Sequence, residues 1–192
     1  MKLDILTLFP EILKGFFESS IMARAVKRGY IEYSLVQIRD FACNKHNKCD
    51  DEIFGGGAGM LMQPGPLERA IQSISTPQSR IVYMTPGGRL FNQRYAEELS
   101  KEQHVIVICG HYEGIDQRII DKYVDDEISI GDYILTSGET AALVCIDSVF
   151  RLIPGVITQE SLEEESFSDG LLEYPQYTRP AKYDTMPVPP VL

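Results

Sequence analysis

Apolar residues along most of this chain alternate between short unbroken blocks and helical spacing. Val105–Cys109 is the clearest block and marks a strand buried on both faces; Lys2–Leu8 and Arg80–Met84 are mostly apolar and also read as strands, and Tyr30–Ile38 reads as a strand interrupted by Glu32, Ser34 and Gln37. Between them, apolar residues recur at helical intervals: Ile12, Leu13, Phe16 and Phe17 within Glu11–Phe17, then Ile21–Arg28, Pro66–Ile74, Asn92–Leu99, Asp116–Tyr123 and Glu139–Phe150. The punctuation agrees. Phe9-Pro10 ends the first strand, Ser20 is placed to cap the second helix, Gly29 to stop it, and Pro66 suits a first helical turn. Asp40–Asp51 is polar and loop-like, and Asp125–Ile128 leads into Ile130–Leu135. Strand alternating with helix predicts an α/β domain around a parallel sheet. From Arg151 the pattern stops: Ile153-Pro154-Gly155-Val156 turns, Glu160–Asp169 is strongly acidic, and the final MPVPPVL reads as extended chain.

The block Val105–Cys109 ends abruptly in Gly110-His111-Tyr112-Glu113-Gly114. Further turns follow at Ser129-Ile130-Gly131-Asp132-Tyr133 and Thr136-Ser137-Gly138-Glu139, and Thr85-Pro86-Gly87-Gly88 breaks the preceding strand. Buried strands that end in glycine let a ligand approach the backbone, and ligands of open α/β sheets sit at the strands' carboxyl ends. These turns are therefore the candidate binding site. A separate glycine run, Ile53 to Met60, matches neither the dinucleotide nor the P-loop pattern. It is expected to back onto a ligand or substrate, with a plain surface loop as the alternative.

Composition narrows the classes. With 44% hydrophobic and 24% charged residues the chain is globular, and no stretch approaches the ~20 apolar residues of a membrane span. Asp4 and Glu11 make the start unlike a signal peptide. Cys43 and Cys49 flank His46 in a weak metal cue; reduced cytosolic thiols are the simpler reading of all four cysteines, and a cytoplasmic location is expected. The net charge of −10 argues against a nucleic-acid partner, yet the first fifty residues carry eight Lys/Arg against six Asp/Glu. Arg24, Lys27, Arg28, Arg39, Lys45 and Lys48 form either a phosphate-facing patch or a solvated mixed surface.

Several longer runs then carry a resemblance. DDEIFGGGAGM (50–60), CGHYEGID (109–116), ISIGDYILTSGE (128–139), DSVFRLIPGV (147–156) and SFSDGLLEYPQYTRP (166–180), with LTLFPE and MARAVKRG near the start, occur in one order. Together they resemble the bacterial tRNA (guanine-N1)-methyltransferases of the SPOUT, or trefoil-knot, class over essentially the whole chain. The resemblance implies an α/β fold, a parallel sheet with helices on both faces and a deep C-terminal trefoil knot. It implies an obligate homodimer with active sites shared between chains. The reaction implied is transfer of the methyl of S-adenosyl-L-methionine to N1 of the tRNA guanosine just 3′ of the anticodon. Residues 1–157 would be the knotted catalytic domain, 158–179 an active-site loop and 180–192 the start of a linker.

The roles carry over residue by residue. The cofactor would be held by Tyr83, Met84, Thr85 and Pro86, by Gly110, Tyr112, Glu113 and Gly114, and by Ile130, Gly131, Asp132, Tyr133, Ile134, Leu135, Ser137 and Gly138. Glu113 is a candidate for the cofactor's amino group or for a magnesium ion. Asp50 with Gly55, Gly56, Gly57, Ala58 and Gly59 would hold the guanine and its neighbour. Asp169 and Arg151 match the family's catalytic pair; alone, Asp169 in Ser-Asp-Gly reads as a turn residue, and Arg151 as a complement to a helix C-terminus. Tyr112 and Tyr177 are read as core. His111 stands where many relatives have Arg, and Ala58 and Ala141 stand for prolines. The family continues past PPVL into a helical domain that grips tRNA, so weak tRNA affinity and reduced or absent turnover are expected of this chain. Two alternatives stay open: a knotted methyltransferase for another RNA, and a noncatalytic nucleotide-binding module.

Overall fold

Nine strands and six α-helices, with a 3-10 helix at Ile38–Phe41, follow one another in the computed structural model, which describes residues 1–158 and 174–190. In chain order these are β1 (Lys2–Thr7), α1 (Pro10–Phe17), α2 (Ser20–Lys27), β2 (Glu32–Gln37), β3 (Asp50–Glu52), β4 (Met60–Met62), α3 (Pro64–Ile74), β5 (Ser79–Leu90), α4 (Gln93–Leu99), β6 (His104–Cys109), α5 (Gln117–Tyr123), β7 (Asp126–Ser129), α6 (Gly138–Phe150), β8 (Lys182–Tyr183) and β9 (Met186–Pro187). They fall into two compact units, Met1–Thr158 and Gln159–Leu192.

In the first unit five strands pair in parallel, in the order β2-β1-β6-β5-β7. Alternate side chains of each strand point to opposite faces. Val82, Met84, Val105 and Val107 enter one core with Phe17, Tyr95, Ile146 and Phe150 of α1, α4 and α6. Ile81, Tyr83, Ile106 and Ile108 enter the other with Leu67, Ile71 and Ile119 of α3 and α5. Helices thus cover both faces, which is why the central strand β6 reads as an unbroken apolar block, whereas the edge strand β2 keeps exposed Glu32 and Ser34.

At the amino ends of the central strands lies a buried polar network. The Asp4 carboxylate Oδ2 is 2.7 Å from His104 Nε2, and His104 Nδ1 is 2.8 Å from Ser79 Oγ. Lys2 Nζ sits 3.1 Å from the same carboxylate. Asp4 is 1% and His104 5% exposed, so each relies on the other to satisfy buried polar atoms.

Four local expectations change. Ser20 lies inside α2 with φ 51°, and Ser19 holds the N-cap position with no side-chain cap bond. The strand expected at Arg80–Met84 does not stop at Thr85: β5 continues to Leu90, with a register break between Met84 and Arg89 where Thr85-Pro86-Gly87-Gly88 bulges from the ladder with β7. Asp50, expected in a loop, begins β3, which pairs antiparallel with β4 around the glycine run. In the second unit, Met186–Pro187 of the expected extended tail pairs with Lys182–Tyr183. Gly29 does end its helix, with φ 75°, and Asn92 and Asp116 cap α4 and α5 through their side chains.

Candidate active site

The break in β5 at Thr85-Pro86 and the carboxyl ends of β6 and β7 open into a cleft with a cavity volume of about 220 Å³. Its lining includes every one of the sixteen expected cofactor residues except Asp132, from Tyr83 through Gly138. His111, Ile128, Ser129, Thr136 and Ala141 join them.

The floor is backbone against backbone. Gly138 N donates to Gly110 O at 2.8 Å, tying the first turn of α6 to the end of β6. A Cβ at Gly138 would stand 2.8 Å from Gly110 N and 2.9 Å from Cys109 Cα, so only glycine permits this approach. Beneath the 110–114 turn lies the Tyr83 ring, whose burial pushes its phenol up from the ordinary value. The opposite wall is the turn after β7. There Gly131 N donates to Ser129 Oγ, and the Tyr133 ring folds back on Gly131. Ile134, 79% exposed, and Tyr133 form an open apolar lip. The cleft is lined mostly by glycines and apolar or aromatic residues, with Thr85, His111, Ser129, Thr136 and Ser137 as its neutral polar residues and Glu113 as its acid.

A carboxylate that the sequence reading missed underlies this floor. Glu139, in the first turn of α6, is fully buried and accepts from Thr7 Oγ1 at 2.5 Å. Thr7 Oγ1 in turn accepts from Phe9 N at 2.8 Å. The bond joins the LTLFPE run to the Thr136-Ser137-Gly138-Glu139 turn. Among the described residues the second oxygen, Oε2, has no partner. Burial, reinforced by Glu139, drives the Cys109 thiol well above its ordinary range.

The β3–β4 hairpin borders the cleft. Glu113 N donates to Met60 O at 3.0 Å and Met62 N to Gly114 O at 2.9 Å. Tyr112, at φ 59°, donates from Oη to Asp50 Oδ1 at 3.3 Å and is part-exposed, so it bridges turn and hairpin rather than filling the core. Gly55, Gly56, Gly57 and Gly59 all have positive φ, and the Glu113 side chain occupies the space a Cβ would take at Gly59. Asp50, Ala58 and these glycines thus adjoin the cleft without lining it.

The proposed catalytic pair behaves differently. Arg151 is the C-cap of α6, whose first residue, Gly138, is at the cleft. At 1.5 Å rise per residue, the helix sets Arg151 roughly 20 Å along its axis from Gly138 and roughly 15 Å from Ala141, the last cleft-lining residue of α6. Asp169 lies outside the described residues. Cys43 is exposed and Cys49 buried, all four cysteines are free, and the described residues hold no cluster of three or more His, Cys, Asp or Glu arranged for a metal. No described helix is long and apolar enough to cross a membrane.

The family model described as tRNA (Guanine-1)-methyltransferase TrmD matches residues 1–192. The chain is similar to a tRNA (guanine-N(1)-)-methyltransferase of Treponema denticola, 60% identical over 192 residues, covering all of this chain and 79% of that one. Similar proteins of the same description occur in Treponema pallidum, at 58% identity with 100% and 77% coverage, and in Clostridioides difficile, at 54% with 100% and 85%. With the family model spanning the whole chain, this protein belongs to the tRNA (guanine-1)-methyltransferase family.

Proposed function

We propose that this chain transfers a methyl group from S-adenosyl-L-methionine to N1 of guanosine 37 of tRNA, just 3′ of the anticodon. The observation that carries the reading is the cleft formed by the break in β5 and the carboxyl ends of β6 and β7, in a chain of this family.

The lining suits that donor. Backbone N–H and C=O groups of the 84–86, 110–114 and 130–138 segments can read adenine without charge, while Ile130 and Leu135 enclose its faces. Glu113 supplies the negative charge for a cationic ligand. Once bound, the donor provides a methyl already activated by its sulfonium sulfur. The work left to the protein is deprotonation and in-line positioning.

Guanine N1 carries a proton far less acidic than a carboxylic acid's, so a carboxylate needs help to remove it. Asp169 takes the N1 proton in this reading, and Arg151 faces O6, where charge accumulates as N1 is stripped. Partial desolvation of the carboxylate on RNA binding raises its basicity. A positioned base of this kind is worth about 10²–10⁴-fold.

Because Arg151 sits at the far end of α6 from its own cleft, the reading includes a homodimer. One chain supplies the cleft and Arg151 of the partner subunit completes it. The family's knotted path belongs to the same reading. Magnesium enters only at Glu113, and dialysis against EDTA decides between its two roles. Loss of transfer with retained cofactor binding assigns the metal, and no change assigns the cofactor's amino group.

The test uses transcripts with guanosine or adenosine at the target position, labelled donor and enzyme in excess of tRNA. Label recovered as 1-methylguanosine from the first transcript alone supports the reading. Label on a ribose or another base points to a different RNA acceptor, and binding without transfer, even by a chain that also carries the family's C-terminal helical domain, points to a nucleotide-binding module.

A further inference from the structure

The backbone of α6 meets the cleft with the wrong sign of charge for a cationic donor. Ser137, its N-cap, lines the cleft with Gly138 and Ala141, and the Ser137 side chain makes no cap bond. A helix N-terminus carries the equivalent of about half a positive charge and favours anions. The donor of the functional reading is positive at its reacting sulfur. Left uncompensated, this end of α6 would repel it.

Glu139 is placed to offset that end. It is the acid of the first turn, 0% exposed, and it directly follows Gly138 of the floor. Thr7 Oγ1 donates to its Oε1, while Oε2 meets no partner among the described residues. Burying a carboxylate with one oxygen unbonded is costly, and the adjoining helix N-terminus is the feature that offsets the cost. The offset is mutual: the carboxylate cancels positive charge that the backbone would otherwise present to the cleft. Its field reaches the floor, because it adds to burial in raising the thiol of Cys109, the residue before Gly110. A charge this deep is screened far less by water and salt than one at the surface.

We propose that Glu139 is a specificity-determining residue that sets the cleft's preference for a positively charged sulfonium over a neutral thioether, by cancelling the N-terminal charge of α6 from beneath the floor. It lies outside the cleft lining and acts through its charge alone. Thr7 has the separate task of holding the carboxylate, with Phe9 N donating to the same hydroxyl. The inference rests on the functional reading above and deepens it. Transfer of the methyl turns S-adenosyl-L-methionine into S-adenosyl-L-homocysteine and removes the positive charge, so Glu139 favours the donor and not the spent product.

The experiment measures, by calorimetry, the affinities of S-adenosyl-L-methionine and S-adenosyl-L-homocysteine for the unsubstituted chain, Glu139→Gln and Thr7→Val. The readout is the ratio of the first affinity to the second. The two ligands differ only in the methyl and its charge, so a deformed floor weakens both and leaves the ratio in place. Glu139→Gln keeps the size of the side chain and an oxygen for Thr7 but removes the charge, and it lowers the ratio about 2- to 30-fold, the span of charge effects at a helix end. Thr7→Val removes the bond and keeps the charge; it lowers both affinities together. An unchanged ratio in Glu139→Gln overturns the proposal, and so does an equal fall of the ratio in Thr7→Val, which makes the pair a structural strut. If Glu139→Gln does not fold, Thr140→Lys carries the test, because it sets a positive charge on the exposed side of the same turn. At low salt it lowers the ratio about 2- to 5-fold, and an unchanged ratio overturns the proposal. If the unsubstituted chain binds neither ligand, the functional reading itself fails, an outcome distinct from an unmoved ratio.

Discussion

Replacing Gly138 by alanine tests the cleft floor at its tightest point. The added Cβ meets Gly110 N at 2.8 Å, Cys109 Cα at 2.9 Å and Cys109 C at 3.1 Å. All three are backbone atoms of the turn that closes β6, so no flexible side chain can move aside. Overpacking of this kind costs about 1–3 kcal/mol. The gain in helix propensity from Gly to Ala is at most about 1 kcal/mol, and it is smaller at a first helical position than in the interior. The net loss, up to about 3 kcal/mol, lowers Tm by as much as roughly 12 °C for a chain of this size. Relief comes from separating α6 from the Gly110 turn, which breaks the Gly138–Gly110 bond and deforms the floor. Donor affinity by calorimetry should therefore fall about tenfold or more, equivalent to at least ~1.4 kcal/mol. Gly87→Ala is the control: it also adjoins a cleft segment, but its Cβ meets nothing within 4 Å, and it should stay within about 0.5 kcal/mol of the parent. A Gly138→Ala protein as stable as the Gly87→Ala control, with undiminished donor affinity, would refute the reasoning.

Three further outcomes are expected. Asp169→Asn should slow single-turnover transfer about 10²–10⁴-fold while calorimetric donor affinity is kept; equal loss of both removes Asp169 from the role of base. His104→Ala strips the buried Asp4 carboxylate of its imidazole partner and should lower urea-unfolding stability by about 1–3 kcal/mol, a loss that a surface histidine such as His46 would not show. Burial pushes the Cys145 thiol up to about 12 from its ordinary 9.0. Between those values the unfolded chain loses a proton that the folded chain keeps, so stability should fall as pH rises above 9, measured by urea midpoints at pH 8 and 10. An alkaline midpoint that is equal or higher would contradict this.

Much of the sheet was legible because a strand buried on both faces has one signature, an unbroken apolar block ended by glycine. Val105–Cys109 with Gly110 is the clearest case, and most of the cleft lining followed from such ends. Cap chemistry was less legible: Ser19 and Ser20 are equally good cap residues, and tertiary packing decides which takes the helical position. The continuation of β5 past Pro86 was hidden because Thr85-Pro86-Gly87-Gly88 has turn composition but rejoins β7 beyond the bulge. Glu139 read as an ordinary acid at a helix start, and its burial depends on Thr7, 132 positions away. The remoteness of Arg151 from its own cleft follows from the length and direction of α6, which local motifs do not encode. Tyr112 carried no pattern to distinguish a core tyrosine from one that reaches Asp50.

The most direct test of a cleft in one chain completed by Arg151 of the partner subunit is complementation. Arg151→Ala chains and Gly138→Ala chains, carrying different tags, are co-expressed, and the mixed dimers are purified through both tags. Transfer is measured under single-turnover conditions at donor concentrations below the weakened affinity of the Gly138→Ala cleft. Each parent homodimer should be nearly silent. The mixed dimer should recover about half the unsubstituted rate, because one of its two sites joins an intact cleft to an intact Arg151. Mixed dimers no more active than either parent would mean that Arg151 serves its own chain's cleft, and would contradict the shared site.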